Sequence, residues 1–235
     1  MTLLKSLLIK MLFSSSIAPA ALRVVLKAHN FLYDLCGPLA VAANGGIHPK
    51  HRLLRYKEWF VEHVESDFVV LDVGSNTGGM AALLAGKAKQ VYAIEIDKRL
   101  SEIAMRTNAA RNIEFLTGDA TTFDYSGCAL LDCVTLSNVL EHIENRVDFL
   151  TMLRQRIPWR NPDSCTFLIR VPTIEREWLP VYKKEIGIDY RLDRTHKIEH
   201  TKQEFMAEMV AAGLQITEFD VRFGEFYAVC HGNAA

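Results

Sequence analysis

Three short stretches carry residue types that could do chemistry. VVLDVGSNTGGMAALLAG (Val69–Gly86) runs from apolar residues into an acid, then a glycine loop, then small residues of helical character. Gly74 and Gly78 flank Ser75-Asn76-Thr77 there, so the chain can turn tightly and a ligand can approach the backbone N–H groups at the helix start. This is not the dinucleotide fingerprint GxGxxG: Asn76 stands where its second glycine, the one that admits a pyrophosphate, would be. In VYAIEID, Glu95 closes the next apolar run 23 residues after Asp72, flanked by Ile96, a position from which a carboxylate accepts both hydroxyls of a ribose. In TGDA, Asp119 ends a third run; an acid there can accept from an adenine amino group while the Ala120 N–H donates to the ring.

For these residues to meet, the runs that carry them must lie side by side. HRLLRYKEWFVEHV reads as one helix, and strand-like and helix-like segments then alternate: FVVLDV, TGGMAALLAGKA, VYAIEI, KRLSEIAMRTNAA, IEFLTG, ALLDCVTL, a helix over residues 143–156, and SCTFLIRV. The strands are short and apolar without clean alternation, as in a parallel sheet covered by helices on both faces. Such sheets bind ligands at the carboxyl ends of their strands, which is where Asp72, Glu95 and Asp119 fall. TKQEFMAEMVAAG then predicts a helix with Thr201 as N-cap and Gly213 as its stop, and LQITEFDVRFGEFYAVCHG an antiparallel strand pair. Between the fifth strand and that helix lie roughly thirty residues of mixed charge, too long for an ordinary connection and read as a substrate-side insertion or lid.

Taken together, the strand-end acids and the DxGxxxG loop resemble the class I S-adenosylmethionine-dependent methyltransferases. The resemblance covers residues 50–230. It implies a Rossmann-like, mostly parallel seven-stranded α/β sheet with helices on both faces and a C-terminal antiparallel pair. It also implies S-adenosyl-L-methionine as cofactor, with Asp72, Gly74, Ser75, Asn76 and Gly78 around its amino-acid end, Glu95 and Ile96 at the ribose, and Asp119 and Ala120 at the adenine. Ser137 and Asn138 would lie against the sulfonium, and Leu140-Glu141-His142 would begin the next helix. Arg52 and Tyr56, just before the first strand, are further cofactor-binding candidates. The expected organisation is an N-terminal helical segment or cap over residues 1–50 and a methyltransferase domain over 51–235. Two other readings stay open: a Rossmann-type NAD(P)-dependent oxidoreductase, and a non-catalytic module that binds the same cofactor.

The acceptor is less constrained. No Asn/Asp-Pro-Pro-aromatic tetrad follows the fourth strand, where the sequence reads Ser137-Asn138-Val139-Leu140, and no Pro-Cys nucleophile follows it. The first 60 residues carry eight Lys/Arg against two acids, leaving an acidic body without a broad basic, aromatic-laced face, so no nucleic-acid partner is expected. A small-molecule, lipid-linked or glycan acceptor remains, methylated at oxygen, for which His142 and His196 are the candidate bases because imidazole titrates near neutral pH. The five cysteines form no CxxC pair or zinc spacing, so no metal is expected and a cytoplasmic location fits. Leu3, Leu4, Leu7, Leu8, Met11 and Leu12 recur at helical spacing, interrupted by Lys5 and Lys10, and predict an amphipathic helix for packing or for peripheral membrane contact.

Overall fold

The computed structural model describes residues 13, 14 and 16–232, so the leucine repeat at residues 3–12 lies outside the described residues. The chain divides into two compact units, one of residues 1–53 with 177–190, the other of residues 54–176 with 191–235.

The first unit is helical. Helix α1 (Ala18–Ala43) starts with a proline in its first turn and runs through Gly37-Pro38, a stretch whose breakers predict a loop. Pro38 costs the helix the bond to the carbonyl of residue 34 and crowds that turn, but Leu39, Ala40, Val41, Ala42 and Ala43 favour helix on its far side. Only Leu26 of α1 is buried, while Val24, Val25, Phe31, Leu32 and Leu39 are exposed. Helix α2 (Lys50–Leu54) ends this part of the chain and α3 (Tyr56–Glu62) follows. The sequence reads α2 and α3 as one helix; Arg55, at φ 48°, separates them.

The second unit holds a seven-stranded sheet ordered β3-β2-β1-β4-β5-β7-β6. Its strands are β1 (Val69–Val73), β2 (Gln90–Glu95), β3 (Ile113–Thr117), β4 (Cys133–Ser137), β5 (Thr166–Pro172), β6 (Leu214–Arg222) and β7 (Glu225–Gly232). β1 to β5 pair in parallel, and β7 runs antiparallel between β5 and β6. The hairpin joining β6 to β7 turns on Phe223 and Gly224, both with positive φ. Helices α4 (Gly79–Ala85), α5 (Lys98–Thr107), α6 (Arg146–Arg156) and α8 (Lys202–Ala211) accompany the sheet. Two cores result: Val69, Leu71 and Val73 of β1 enter one, while Val70 enters the other with Val91, Ala81 and Leu84. Both faces of β1 are thus buried, and each such Val, Leu or Ile contributes about 1.5–3 kcal/mol.

The long insertion is not one element. Residues 177–190, with α7 (Trp178–Glu185), belong to the first unit, where the buried Lys183 Nζ donates to Asn30 Oδ1 at 2.7 Å and Asn30 Nδ2 donates to the Asp189 carbonyl at 2.7 Å. Residues 191–200 belong to the sheet unit.

Candidate functional site

Register aligns the carboxyl ends of the central strands: Asp72 of β1 pairs with Ala93 of β2 and Thr135 of β4, and Glu95 of β2 with Thr117 of β3. The loop after β1 is fastened to β2, since the Gly74 and Ser75 N–H groups both donate to the Ile94 carbonyl, at 2.9 and 3.0 Å. Asn76 has φ 52°, and Gly74 and Gly78 have φ 70° and 80°. A Cβ on Gly78 would also meet Ala104 and Phe115 at 3.0 Å, and one on Gly74 would meet Val139 at 2.8 Å. Backbone conformation and close packing therefore demand these glycines before any ligand does.

Asp72 is 2% exposed. Its Oδ1 accepts from the Thr135 hydroxyl at 2.7 Å, and its Oδ2 has no partner among the described residues. Burial pushes its carboxyl up to about 7, against the Thr135 hydrogen bond and the Lys57 ammonium, which favour the charged form. Ser75 Oγ is likewise buried and without a partner. An orphaned carboxylate oxygen beside an orphaned hydroxyl fits a ligand bearing an ammonium and a carboxylate, as the amino-acid end of S-adenosylmethionine does. Lys57, whose Nζ lies 3.0 Å from where a Gly79 Cβ would be, is a loop neighbour that the sequence reading did not single out.

Glu95 is buried, and its two oxygens accept from the N–H groups of Asn76 (2.8 Å) and Asp97 (2.9 Å). Each oxygen keeps a second lone pair for a hydroxyl. Ile96 beside it is exposed. Asp119 is exposed and engaged locally, its Oδ1 accepting from Thr121 N–H at 2.9 Å and from Thr121 Oγ1 at 2.7 Å. The Ala120 carbonyl accepts from Tyr125 Oη at 2.9 Å. Tyr56 is buried with the Arg170 guanidinium 4.0 Å over its ring, and burial raises its phenol. Arg170 in turn donates to Ser137 Oγ at 3.2 Å and grips Glu225 with two bonds of 2.5 and 2.6 Å. Asn138, at φ 57°, has an unpartnered Oδ1. Arg52 is exposed and falls in the first unit.

The two histidines singled out for acceptor activation come together. Their ring centroids are 4.9 Å apart and the rings meet edge to face. A short 3-10 turn (Leu140–His142) carries His142 beyond β4, and the Lys197 N–H donates to the Glu141 carbonyl at 2.6 Å, docking the 191–200 segment on that turn. Buried groups anchor the segment: Glu199, fully buried, accepts from Arg176 and from the Leu192 N–H, while His200 Nε2 faces Glu208 Oε2 at 2.9 Å. Burial would raise the Glu208 carboxyl, but hydrogen bonds from His200 and Arg146 hold it down to about 2. His142 is held below the ordinary imidazole range by desolvation and then by His196. Glu141, adjacent to His142, is fully buried and pushed up to about 8 by that burial.

Residues 71–156 match the family described as "Methyltransferase domain". A probable ribosomal RNA small subunit methyltransferase A from Pyrobaculum aerophilum is 34% identical over 101 residues, which is 43% of this chain and 42% of that one. The chain spans about two fifths of the length of two curated relatives it matches and as little as 13% of another. Among solved structures, the magnesium protoporphyrin IX methyltransferase of Synechocystis with bound SAH superposes with a TM-score of 0.58 at 18% identity, covering 78% of this chain and 83% of that one. The cyclase SpnF superposes at 0.59 and 14% identity, covering 77% and 81%. The chain thus carries a methyltransferase-domain match over residues 71–156, set in the α/β fold that it shares with these solved structures.

Proposed function

We propose that this protein transfers a methyl group from S-adenosylmethionine to a hydroxyl oxygen of a small-molecule, lipid-linked or glycan acceptor. The observation that carries the reading is the meeting of His142, in the turn beyond β4, with His196 of the 191–200 segment, together with strand ends whose orphaned polar atoms suit the cofactor. Bound, the cofactor supplies an electrophilic methyl on a sulfonium. Asp72 and Ser75 then receive its ammonium and carboxylate end, Glu95 its ribose hydroxyls, and Asp119 with Ala120 its adenine. Ser137, held by Arg170, and Asn138 border the transfer path. At the far side, His142 and His196 stand where the acceptor hydroxyl loses its proton. Their role would be to position the acceptor oxygen for attack on the methyl, a contribution that orientation alone can make large.

In this reading residues 1–50, helical in their described part at Ala18–Ala43, are an N-terminal segment and residues 51–235 the methyltransferase domain, of which 177–190 fold with the first unit. The exposed Val24, Val25, Phe31 and Leu32 of α1 support peripheral contact of that segment with a membrane surface.

Labelled S-adenosylmethionine incubated with the protein and a fractionated cell extract tests the acceptor class. Label in a lipid, glycan or small-molecule fraction, stable to mild base as an ether is, is the expected result. Nuclease-sensitive label would overturn it in favour of RNA, the acceptor named for several relatives over the shared part of the chain. Cofactor binding without turnover in any fraction would favour the non-catalytic reading.

A further inference from the structure

Glu141, His142 and His196 each place one potential ligand atom within 4.8 Å of the other two. His142 and His196 lie 54 residues apart, so no spacing rule links them in the sequence. Hydrogen bonds fix what the rings offer. The Thr195 hydroxyl donates its one proton to Asp193 Oδ1 at 2.7 Å and so accepts from His142 Nδ1 at 3.1 Å. The His142 proton therefore sits on Nδ1, and Nε2 presents a lone pair. His196 Nδ1 donates in the same way to the buried Glu199 Oε1 at 3.1 Å, leaving its Nε2 as a second lone pair. Carboxylate and hydroxyl partners on the rear nitrogen are how metal-ligating histidines are oriented and made more basic.

Glu141 supplies an independent observation. It is fully buried, and neither carboxylate oxygen has a hydrogen-bond partner or ion pair among the described residues. A buried carboxylate left without a partner is costly, and a cation is what would satisfy it. We propose that Glu141, His142 and His196 bind a divalent transition-metal cation that carries the acceptor hydroxyl. Two imidazole nitrogens and one carboxylate oxygen favour such an ion over magnesium or calcium, which prefer all-oxygen shells. With bonds of roughly 2.0–2.2 Å, ligand atoms on one tetrahedral ion stand about 3.3–3.6 Å apart. The cluster must then close by up to roughly 1.5 Å, to which rotation of the exposed His142 ring contributes. Three protein ligands leave coordination positions open towards solvent, as a site that takes a substrate oxygen requires.

The role of the ion rests on the methyl-transfer reading above; its binding does not. With both imidazoles ligated, the histidines act on the acceptor through the ion and not as free bases: Lewis-acid polarisation lowers the pKa of the hydroxyl, whose proton passes to solvent water. The oxygen lone pair then attacks the methyl carbon, the carbon–sulfur bond breaks, and its electron pair stays on sulfur. A methyl ether, a neutral thioether and one proton are formed.

Co2+ added to the full chain after chelator dialysis is the test, read by visible d–d absorption and calorimetry, with S-adenosylmethionine affinity measured on the same samples. One cation per chain is expected, with the dissociation constant raised at least about 100-fold in E141Q and H142A and about 10- to 100-fold in T195V, which loses only the rear partner of His142. Because His142 and Thr195 are exposed, H142A and T195V decide the matter even where E141Q does not fold. Absence of saturable Co2+ binding, or binding unchanged in H142A, would overturn the proposal. Loss of S-adenosylmethionine binding by the wild-type chain would instead sink the methyl-transfer reading, while the Co2+ titration still decides the metal site.

Discussion

The ends of β1 to β3 and the turn beyond β4 share one edge of the sheet but are built by different means. At the ends of β2 and β3 the acids are fixed by groups within about twenty residues of them, Glu95 by the N–H groups of Asn76 and Asp97 and Asp119 by Thr121, while Asp72 of β1 takes its one bond from Thr135 on the neighbouring strand. Beyond β4 the geometry is assembled over distance. His196 reaches His142 only because residues 191–200 dock on the Glu141 carbonyl and are anchored through the buried Glu199 and His200. A site of the first kind tolerates change elsewhere in the fold. One of the second kind depends on a buried polar network whose members fail together.

That contrast can be broken at four points. The largest effect belongs to Glu95→Ala: two charge-assisted bonds to ribose hydroxyls, at about 1.5–3 kcal/mol each, put the loss of cofactor affinity at roughly two to four orders of magnitude by calorimetry. An affinity within tenfold of wild type would reduce Glu95 to a clamp for its own loop. His142→Ala should separate the two regions, lowering turnover by about 100- to 10,000-fold while the cofactor dissociation constant stays within about threefold. If both quantities fall together, the edge works as one site and the contrast is wrong.

Asp72→Asn tests the orphaned carboxylate. Burial raises the Asp72 carboxyl to about 7, so the folded chain holds that proton more tightly than the unfolded chain does. The stability this contributes is complete below about pH 4 and is lost as pH rises towards 7. The asparagine variant has no such loss. Without cofactor it should match wild type near pH 4 and exceed it near pH 8 by at most about 4 kcal/mol in urea unfolding, while binding cofactor more weakly. A variant less stable at both pH values would mean that the charged form is welcome in the fold. The smallest effect is a control: Asp97→Ala and Thr201→Ala remove the N-caps of α5 and α8, and each should cost about 1 kcal/mol. Unequal costs would show that one region leans on its local turn more than the other does.

The same difference explains what was legible in the sequence. Strand ends announce themselves by apolar runs stopping at an acid, and Asp72, Glu95 and Asp119 could be read one at a time. The Thr201 cap and the Gly213 stop were equally local, and the structure adds Glu204 as the return bond of a capping box. The His142–His196 pairing was not legible, since only tertiary docking creates it. Glu141 and Glu199 went unmarked because a carboxylate in a charged stretch looks solvated until the fold buries it. The helical course of α1 through Gly37-Pro38 was hidden by two residues that break most helices, outweighed here by the helix formers after them.

The glycines of the first loop carry a last consequence. Gly74 and Gly78 are required by positive φ and by the side chains of Val139, Ala104 and Phe115, all of which belong to the scaffold. A descendant of this chain could surrender its methyl donor, take up another reaction, and still be obliged to keep both glycines in order to fold. The loop is thus a record of ancestry. In the reading proposed above, present chemistry is carried by atoms that folding leaves unsatisfied, Asp72 Oδ2, Ser75 Oγ and the Glu141 carboxylate, because folding alone gives no reason to retain them.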